Sequence, residues 1–332
     1  MSPPQALPNI IVLTNYDPAW SAFDRTIADA MINLMLDGLR AEGHTAQLVT
    51  FFDSLDVLND FDPRQWLVWN WGEEWAGQPW TEAVVARAIE QRGFAYTGSP
   101  PEVLERTKSR DYIKARLREA HIPTLPSRTF TDSAQAAEWT HYPAIVKGAN
   151  QHSSYGITRD SVVHDSQQLA RQIEWMRATM NDDAFVEPFL DTREFHVAVW
   201  GNGALEILPP VEYDFSGLTD MHQRLYTYEA KFDRASHAYK TIGTICPAPA
   251  DRPEWMDKMR SAALAAYRVT GIRDYGRIDL RMWGDEPQVL DVNPNPDLDP
   301  ISVFPVSSEA AGLTYGQMAA RILHHASERM PH

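Results

Sequence analysis

The chain has 332 residues, of which 44% are apolar and 23% are charged, and its formal net charge at pH 7 is −15. A chain of this length usually divides into two or three packed domains, and the composition is that of a globular protein. The acidic balance argues against nucleic acid or an anionic membrane as a partner, because both require clustered Lys and Arg.

The first hundred residues alternate predicted strands and helices, the pattern of a small open α/β domain. Short apolar runs predict strands at residues 9–14, 45–51, 66–70 and 94–97. Apolar residues at helical spacing predict helices at residues 25–41 and 81–91. Five tryptophans fall at positions 66, 69, 71, 75 and 80, and both core packing and an aromatic substrate wall would account for them.

The rest of the chain mixes predicted helices with strands that alternate apolar and polar residues. Helices are predicted at residues 102–120, 166–179, 252–270 and 314–325. Strands are predicted at residues 142–147, 185–190, 194–200, 277–283 and 288–293. Two further segments are predicted to be mobile lids: the loop at 151–156, within the Gly- and Ser-containing stretch 148–158, and the polar stretch at 213–241.

Targeting signals are absent from the sequence pattern. No apolar run approaches the roughly 20 residues that span a bilayer, and residues 1–8 lack the basic region of a signal peptide. The single cysteine, Cys246, excludes an internal disulfide and is typical of a reducing cytoplasm, where we expect the protein to act.

Polar side chains recur on the last two predicted strands. Alternate residues of a strand share a face, so Arg277 and Asp279 lie together, as do Asp291 and Asn293. If the strands pair, the four converge on one surface while residues 278, 280, 290 and 292 face a core. Carboxylate and amide oxygens suit Mg²⁺. The alternative is a surface hairpin with exposed charge.

Two further clusters are candidates for binding a nucleotide. Lys147 ends an apolar run, and the loop that follows contains glycines and two serine hydroxyls. The backbone amides of this loop could enclose phosphate oxygens. Glu187 ends an apolar run, the backbone beside Leu190 could meet a purine edge, and Glu194 could accept hydrogen bonds from ribose hydroxyls. A solvated lysine before an ordinary turn and exposed glutamates at strand ends are the alternatives.

Together, these segments resemble the D-alanine–D-alanine ligase branch of the ATP-grasp superfamily over roughly residues 60–325. The similar motifs are Tyr-Thr-Gly-Ser at 96–99, Ile-Val-Lys at 145–147, Ser-Ser-Tyr-Gly at 153–156, Tyr-Thr-Tyr-Glu-Ala-Lys-Phe at 226–232, Gly-Arg-Ile-Asp at 276–279 and Asp-Val-Asn at 291–293. The resemblance implies an N-terminal parallel-sheet domain, residues 1–100, and two ATP-grasp subdomains, residues 101–186 and 187–332. The two subdomains would sandwich ATP between antiparallel sheets.

The resemblance also implies roles for single residues. Asp279, Asp291 and Asn293 would hold two Mg²⁺ ions, with Mn²⁺ as an alternative. The residues implied in ATP binding are Arg110 (with Lys108 as a rival), Lys147, Lys231, Ser154, Gly156, Glu187, Leu190 and Glu194. Arg277, Ser153 and Lys231 would act in catalysis, and Ser302 would bind the carboxylate of a second amino acid.

The implied activity is that of a carboxylate–amine ligase that forms an amide or dipeptide bond through an acylphosphate. Its partners would be small molecules, and the family suggests a homodimer. Asp17 is a loose substitute for the acidic residue that meets the first amino group, and Asp297 replaces a glycine near the oxyanion site. We therefore expect substrates other than two D-alanines. A small-molecule kinase and an inactive nucleotide-binding regulator are the alternative functions.

Overall fold

A computed structural model describes residues 7–233 and 235–331, with only the backbone of Tyr228 and Phe232. The prediction about a signal peptide concerns a segment that lies mostly outside these residues. Within the described part, thirteen strands and ten helices form a mixed α/β structure with one parallel and two antiparallel sheets. The predicted fold class is confirmed. No helix in these residues is long and apolar enough to cross a membrane.

The N-terminal sheet is parallel and three-stranded. Strands β1 (Asn9–Asn15), β2 (Ala46–Phe51) and β3 (Trp66–Trp71) pair in the order β2-β1-β3, with helices α1 (Ala22–Ala41) and α2 (Glu82–Glu90) alongside. Ser21 and Asp24 form a capping box that starts α1 three residues before the predicted position. The prediction of a strand at 94–97 is wrong. In this segment one isolated bridge forms, between Val68 and Tyr96, before the chain turns at Gly98 with φ +96°.

The helix predicted at residues 102–120 is two helices. They are α3 (Pro101–Thr107) and α4 (Arg110–Glu119). The break lies at Ser109, which leaves helical geometry and accepts a hydrogen bond from the backbone N–H of Tyr112 at 3.3 Å. A serine in this position satisfies a free amide at the start of a helix, so the hydrophobic periodicity continues through the interruption.

The smaller antiparallel sheet has four strands. These are β4 (Arg128–Phe130), β5 (Ala144–Gly148), β6 (Val162–Val163) and β7 (Ala184–Pro188), in the order β4-β7-β5-β6. Helix α5 (Ser166–Thr179) packs on it, and the buried apolar residues of helix and sheet form one core. Lys147 and Glu187 lie on the two central strands, β5 and β7.

The larger antiparallel sheet brings distant segments together. It contains β8 (Glu194–Trp200), β9 (Glu206–Ile207), β10 (Val211–Asp214), β11 (Gly243–Ile245), β12 (Tyr275–Trp283) and β13 (Glu286–Pro294). The order is β11-β10-β8-β12-β13, with β9 paired to β8. The segment predicted to be a mobile lid carries two short helices, α6 (Tyr228–Phe232) and α7 (His237–Thr241).

The last helices return to the start of the chain. Helix α8 (Pro253–Thr270) covers the large sheet, whereas α9 (Val303–Ala310) and α10 (Tyr315–Ser327) join the core of the N-terminal sheet. Helices α1 and α10 touch through glycines, because a Cβ on Gly316 would lie 2.5 Å from the carbonyl oxygen of Gly38. The N-terminal core therefore contains side chains from both ends of the sequence.

Candidate active site

A cavity of about 880 Å³ opens where the two antiparallel sheets and the N-terminal sheet meet. Most of the predicted site residues line it. They are Arg110, Lys147, Ser153, Ser154, Glu187, Leu190, Glu194, Lys231, Arg277, Asp279, Asp291, Asn293, Asp297 and Ser302. Asp17 and Gly156 do not line this cavity. Asp17 accepts a hydrogen bond from the backbone N–H of Ala19 at 2.7 Å, and Gly156 borders a smaller pocket beside Met180.

The hairpin of β12 and β13 places four polar side chains on one face, as predicted. Asp279 pairs with Asp291 across the strands, and Arg277 pairs with Asn293. Arg277 donates two hydrogen bonds to Asp279, at 2.7 and 2.9 Å, and Asn293 Nδ2 donates to the same carboxylate at 2.9 Å. Burial lowers the pKa of Arg277, but the Asp279 charge outweighs it and raises that pKa above its ordinary value.

The core side of the hairpin differs from the prediction at one position. Ile278, Leu280 and Val292 are buried, as expected, but Leu290 lines the cavity. The pairing shifts register between Asp279 and Leu280, which leaves Leu290 without a partner in the ladder. Such a bulge turns a side chain toward the other face of a sheet.

Asp291 faces positive charge. Arg110 approaches it at 3.3 Å and also donates to the carbonyl oxygen of Gly148 at 2.5 Å. Burial raises the pKa of Asp291, but the charges of Arg110, His152 and Lys147 together lower it to about 2. Lys108, the rival of Arg110, also lines the cavity and donates to the carbonyl oxygen of Trp80.

Glu187 is completely buried between two lysines. Lys147 lies 2.7 Å from one carboxylate oxygen, and Lys114 lies 2.8 Å from the other. Burial raises the pKa of Glu187, but the two ammonium groups lower it below its usual range. Lys114 was not among the predicted site residues, because a charged residue in an amphipathic helix is ordinarily solvated.

A second buried network surrounds Glu194. Arg281 donates to its carboxylate at 2.8 Å, and His196 Nε2 lies 2.8 Å from the other oxygen. His196 Nδ1 lies 3.2 Å from Asp279, so this ring connects two of the predicted site carboxylates. Burial raises the pKa of Glu194, but Arg281 and His196 lower it well below its ordinary value. Arg281 also donates to the carbonyl oxygen of Leu190.

Two loops meet over the cavity. Ser153 and Ser154 adopt left-handed conformations, with φ of +57° and +61°, and Ser154 Oγ donates to the carbonyl oxygen of Tyr226 at 2.7 Å. Lys231 lies over the Tyr226 ring, 5.3 Å from its centre. Burial and the neighbouring Arg277 lower the pKa of Lys231 to about 8. The two predicted lid segments are therefore in direct contact.

The end of the cavity nearest the N-terminal sheet is acidic. Asp297 accepts a hydrogen bond from Ser302 Oγ at 2.7 Å, and Asp299 lines the wall nearby. Glu73 and Glu82 also line this end of the cavity and were not among the predicted site residues. Glu73 follows the carboxyl end of β3, the edge of a parallel sheet where ligands commonly bind, so its position was a usable signal. The protein around Glu73 and the charge of Asp297 raise its pKa to about 7.

The tryptophan cluster divides between the two interpretations. Trp69 is buried in the N-terminal core, Trp66 packs edge-on against Phe61, and Trp75 packs on Phe51. Trp71 and Trp80 line the cavity.

The family model described as the D-ala D-ala ligase C-terminus matches residues 118–324. The chain belongs to the ATP-grasp, D-alanine–D-alanine ligase-like family. An uncharacterized family relative from Sinorhizobium fredii, y4sG, is 30% identical over 246 residues, 74% of this chain and 70% of the relative. A D-alanine–D-alanine ligase from Synechococcus is 27% identical over 299 residues, 86% of this chain and 85% of that protein.

A solved structure has the same fold. The D-alanine–D-alanine ligase of Bacillus anthracis, crystallised with ATP, superposes with a TM-score of 0.71 at 18% identity. The match covers 97% of this chain and 98% of the Bacillus chain. It establishes the ATP-grasp fold from the N-terminal sheet to the last helix.

The hairpin of β12 and β13 offers a cation some of the oxygen ligands that it needs. Among residues 7–233 and 235–331, no three His, Cys, Asp or Glu side chains converge as a metal cage. Asp279 and Asp291 instead face each other beside Asn293, which donates with its nitrogen and leaves its oxygen available. Mg²⁺ is usually held by one or two carboxylates and completes its shell with water and phosphate oxygens, so this donor set fits it.

Proposed function

We propose that the protein is an ATP- and Mg²⁺-dependent ligase that joins a carboxylate to an amine and releases ADP and phosphate. The observation that carries the proposal is the composition of the cavity wall. Lys147, Lys231 and Arg110 line the same cavity as the paired carboxylates Asp279 and Asp291. A triphosphate needs cations for its oxygens and hard oxygen ligands for its metal ions, and this wall provides both.

The nucleotide would lie between the two antiparallel sheets. In the proposed arrangement Lys147, Arg110 and Ser154 meet phosphate oxygens, whereas Gly156 lies outside this cavity. Glu187 and the backbone of Leu190 meet the adenine, and Glu194 meets the ribose. Glu187 is held by two lysines, and Glu194 by Arg281 and His196, so both are fixed before a ligand arrives. Such preorganisation lowers the entropy cost of binding.

Asp279, Asp291 and Asn293 would hold two Mg²⁺ ions, or Mn²⁺ in their place. When bound, these ions would neutralise charge on the transferring phosphoryl group and its leaving oxygen. Arg277 and Arg110 compensate the two carboxylates in the structure described here. The two arginines therefore neutralise the carboxylates that would bind the metal ions.

The reaction follows from the weakness of a carboxylate as an electrophile. A substrate carboxylate oxygen attacks the γ-phosphorus of ATP, ADP leaves, and an acylphosphate forms. The amine nitrogen then attacks the acyl carbon, phosphate leaves, and the amine loses a proton. Arg277 would stabilise the negative charge on the acyl oxygen, with Ser153 and Lys231 near the transferring group. The contact between Ser154 and Tyr226 would help exclude water, which would otherwise hydrolyse the acylphosphate.

The acceptor site argues against two D-alanines as substrates. Asp297 places a carboxylate at the end of the cavity where Ser302 would otherwise bind a substrate carboxylate. The hydroxyl of Ser302 donates a hydrogen bond to Asp297 instead. Asp297 would repel a substrate carboxylate there, whereas it would attract a substrate amine.

The proposed cytoplasmic homodimer is tested separately, by sedimentation of the purified protein and fractionation of its cells.

The test is a phosphate-release screen with ATP, Mg²⁺ and pairs drawn from amino acids, related acids and amines. We expect release that requires both a carboxylate and an amine, with one amide formed per ADP. Asp291→Ala should reduce this turnover by at least 100-fold without unfolding the protein, and Asp257→Ala, at an exposed site on α8, should not change it. A phosphorylated product without phosphate release would indicate a kinase and contradict the proposal. So would Asp291→Ala at the wild-type rate.

A further inference from the structure

Charge is divided along the cavity. Its cations lie mainly on the two antiparallel sheets and their loops, and they are Arg110, Lys147, Lys231, Arg277 and Arg281. The end beside the N-terminal sheet is lined by four carboxylates, Glu73, Glu82, Asp297 and Asp299. The cationic part suits a triphosphate. The acidic part has no role in holding one.

The acidic carboxylates lack cationic partners in the described part of the chain. Asp297 accepts from Ser302 Oγ and from the backbone N–H of Asp299, and Asp299 accepts from the backbone N–H of Ile301. No ion pair or hydrogen bond reaches the carboxylates of Glu73 and Glu82 from another described side chain. The surrounding protein and neighbouring carboxylates raise the pKa of both groups. No described side chain offers these carboxylates a compensating cation, and a bound cation would favour their charged forms.

Lys108 is a cation of the cavity wall that acts on this end. Its charge lowers the pKa of Glu82, but burial outweighs it. Its ammonium group is already bonded to the carbonyl oxygen of Trp80. Lys108 therefore does not neutralise Glu82.

A second feature of the same wall indicates a ligand oxygen. Asn70 borders the cavity and is 6% exposed. Its Oδ1 accepts from the backbone N–H of Gly72 at 3.2 Å, which leaves Nδ2 without a partner among the described residues. A buried donor without an acceptor is costly. A substrate carbonyl or carboxylate oxygen would satisfy it.

Aromatic rings border the acidic carboxylates. Trp71 and Trp80 line this part of the cavity, and the exposed side chains of Phe23 and Ile301 lie on the lining as well. Indole faces attract ammonium and guanidinium groups, and they also pack on aliphatic chains. The wall therefore suits a methylene chain that ends in a positive charge.

We propose that the amine substrate carries a second cationic group, as a basic amino acid or a diamine does, and that Glu73 and Glu82 bind this group. The inference rests on the proposed ligase function, because it assigns the amine side of that reaction. The reacting amine lies toward Asp297, and the second cation lies toward β3. Neutral amino acids such as D-alanine leave the acidic end uncompensated.

The first test compares amines of equal length that differ in one charge. Lysine is compared with norleucine, and 1,4-diaminobutane with 1-aminobutane, each with ATP, Mg²⁺ and the carboxylates that support turnover. We expect kcat/KM to be at least 10-fold higher for the amine with the additional charge in each pair. A larger kcat/KM for lysine than for 1,4-diaminobutane indicates that the substrate is a basic amino acid whose carboxylate binds Asn70. A larger kcat/KM for the diamine indicates that the substrate is a diamine. Equal kcat/KM for charged and neutral amines overturns the proposal.

The second test uses Glu73→Gln and Glu82→Gln, alone and combined, with Glu254→Gln on the exposed face of α8 as the control. The double variant should lose at least 10-fold in kcat/KM for lysine or 1,4-diaminobutane. It should keep the wild-type KM for ATP and the wild-type rate with norleucine. An unchanged preference for the charged amine in this variant overturns the assignment of the two glutamates.

A binding measurement separates this inference from the proposed function. Calorimetric titration of lysine and norleucine into the protein, saturated with Mg²⁺ and a non-hydrolysable ATP analogue, requires no turnover. Selective lysine binding that is lost in the double variant supports the cation site even if no amide forms. Amide formation without any preference for charge supports the ligase and overturns the cation site.

Discussion

Glu187→Gln is the substitution that most directly tests how the nucleotide-facing wall is held together. The wild-type carboxylate lies 2.7 Å from Lys147 and 2.8 Å from Lys114, inside the protein. Glutamine keeps the size of the side chain but removes the charge. Two lysine ammonium groups then share a buried space without an anion.

The expected loss follows from these distances. At an effective dielectric constant of about 20, each ion pair contributes about 6 kcal/mol of Coulomb energy. Desolvation of the three buried ions offsets much of this energy, since it costs several kcal/mol per ion. Breaking such a network by removing one partner usually costs about 3–5 kcal/mol, and we expect Glu187→Gln to destabilise the folded state by that amount. Glu138→Gln breaks the exposed pair with Arg128 and should cost less than about 1 kcal/mol.

Urea unfolding at pH 7.5 measures both variants, and hydrogen exchange in β5 and β7 shows whether the loss is local. The pH dependence provides a further check. Burial lowers the pKa of Lys114 below its unfolded value, so its charge opposes folding at low pH, and raising the pH removes that penalty. The Glu187 carboxylate partly offsets this lowering, so its removal lowers the pKa of Lys114 further, and Glu187→Gln should regain stability between pH 7.5 and 10 relative to wild type. Equal unfolding curves for the Glu187 and Glu138 variants would refute this reasoning.

Two other predictions concern a titrating lysine and a helix contact. Because the pKa of Lys231 is lowered to about 8, kcat/KM for ATP should fall about tenfold per pH unit well above that value. For Lys231→Arg, kcat/KM for ATP should stay constant up to pH 9.5. Parallel pH profiles for the variant and the wild type would show that Lys231 is not the titrating group. Gly316→Ala should lower the unfolding midpoint because its Cβ would lie 2.5 Å from the Gly38 carbonyl oxygen, whereas Gly203→Ala, with open space around it, should not. A Gly316 variant as stable as the Gly203 variant would show that α1 and α10 separate easily.

Local patterns predicted the elements that depend on local physics. The β12–β13 hairpin follows from strict alternation around Gly284, and helix α5 has the predicted bounds, 166–179. The break at Ser109 was missed because hydrophobic periodicity continues across it, although a serine before a charged turn is a capping signal. The short helices α6 and α7 were missed for another reason. Each spans five residues, too few for a periodic pattern.

The candidate site was predictable where its residues lie at the ends of strands. Arg277, Asp279 and Asp291 share a face because strands alternate. Lys114 and Arg281 could not be predicted, since each donates to a backbone carbonyl from a segment far along the chain, that of Val289 and that of Arg224. Glu73 belongs to an intermediate class. Its place after a buried strand and its local acidic neighbours, Glu74 and Glu82, were visible, but Asp297 comes from the opposite end of the sequence.

The packing of α10 against α1 affects the order of events during synthesis. Ile10, Val12 and Met35 share a core with Met318, Ile322 and Leu323. A ribosome adds about 5–20 residues per second, so the first sheet is finished many seconds before the helix that completes its core. During that interval the apolar face of the nascent domain is exposed to water and to chaperones.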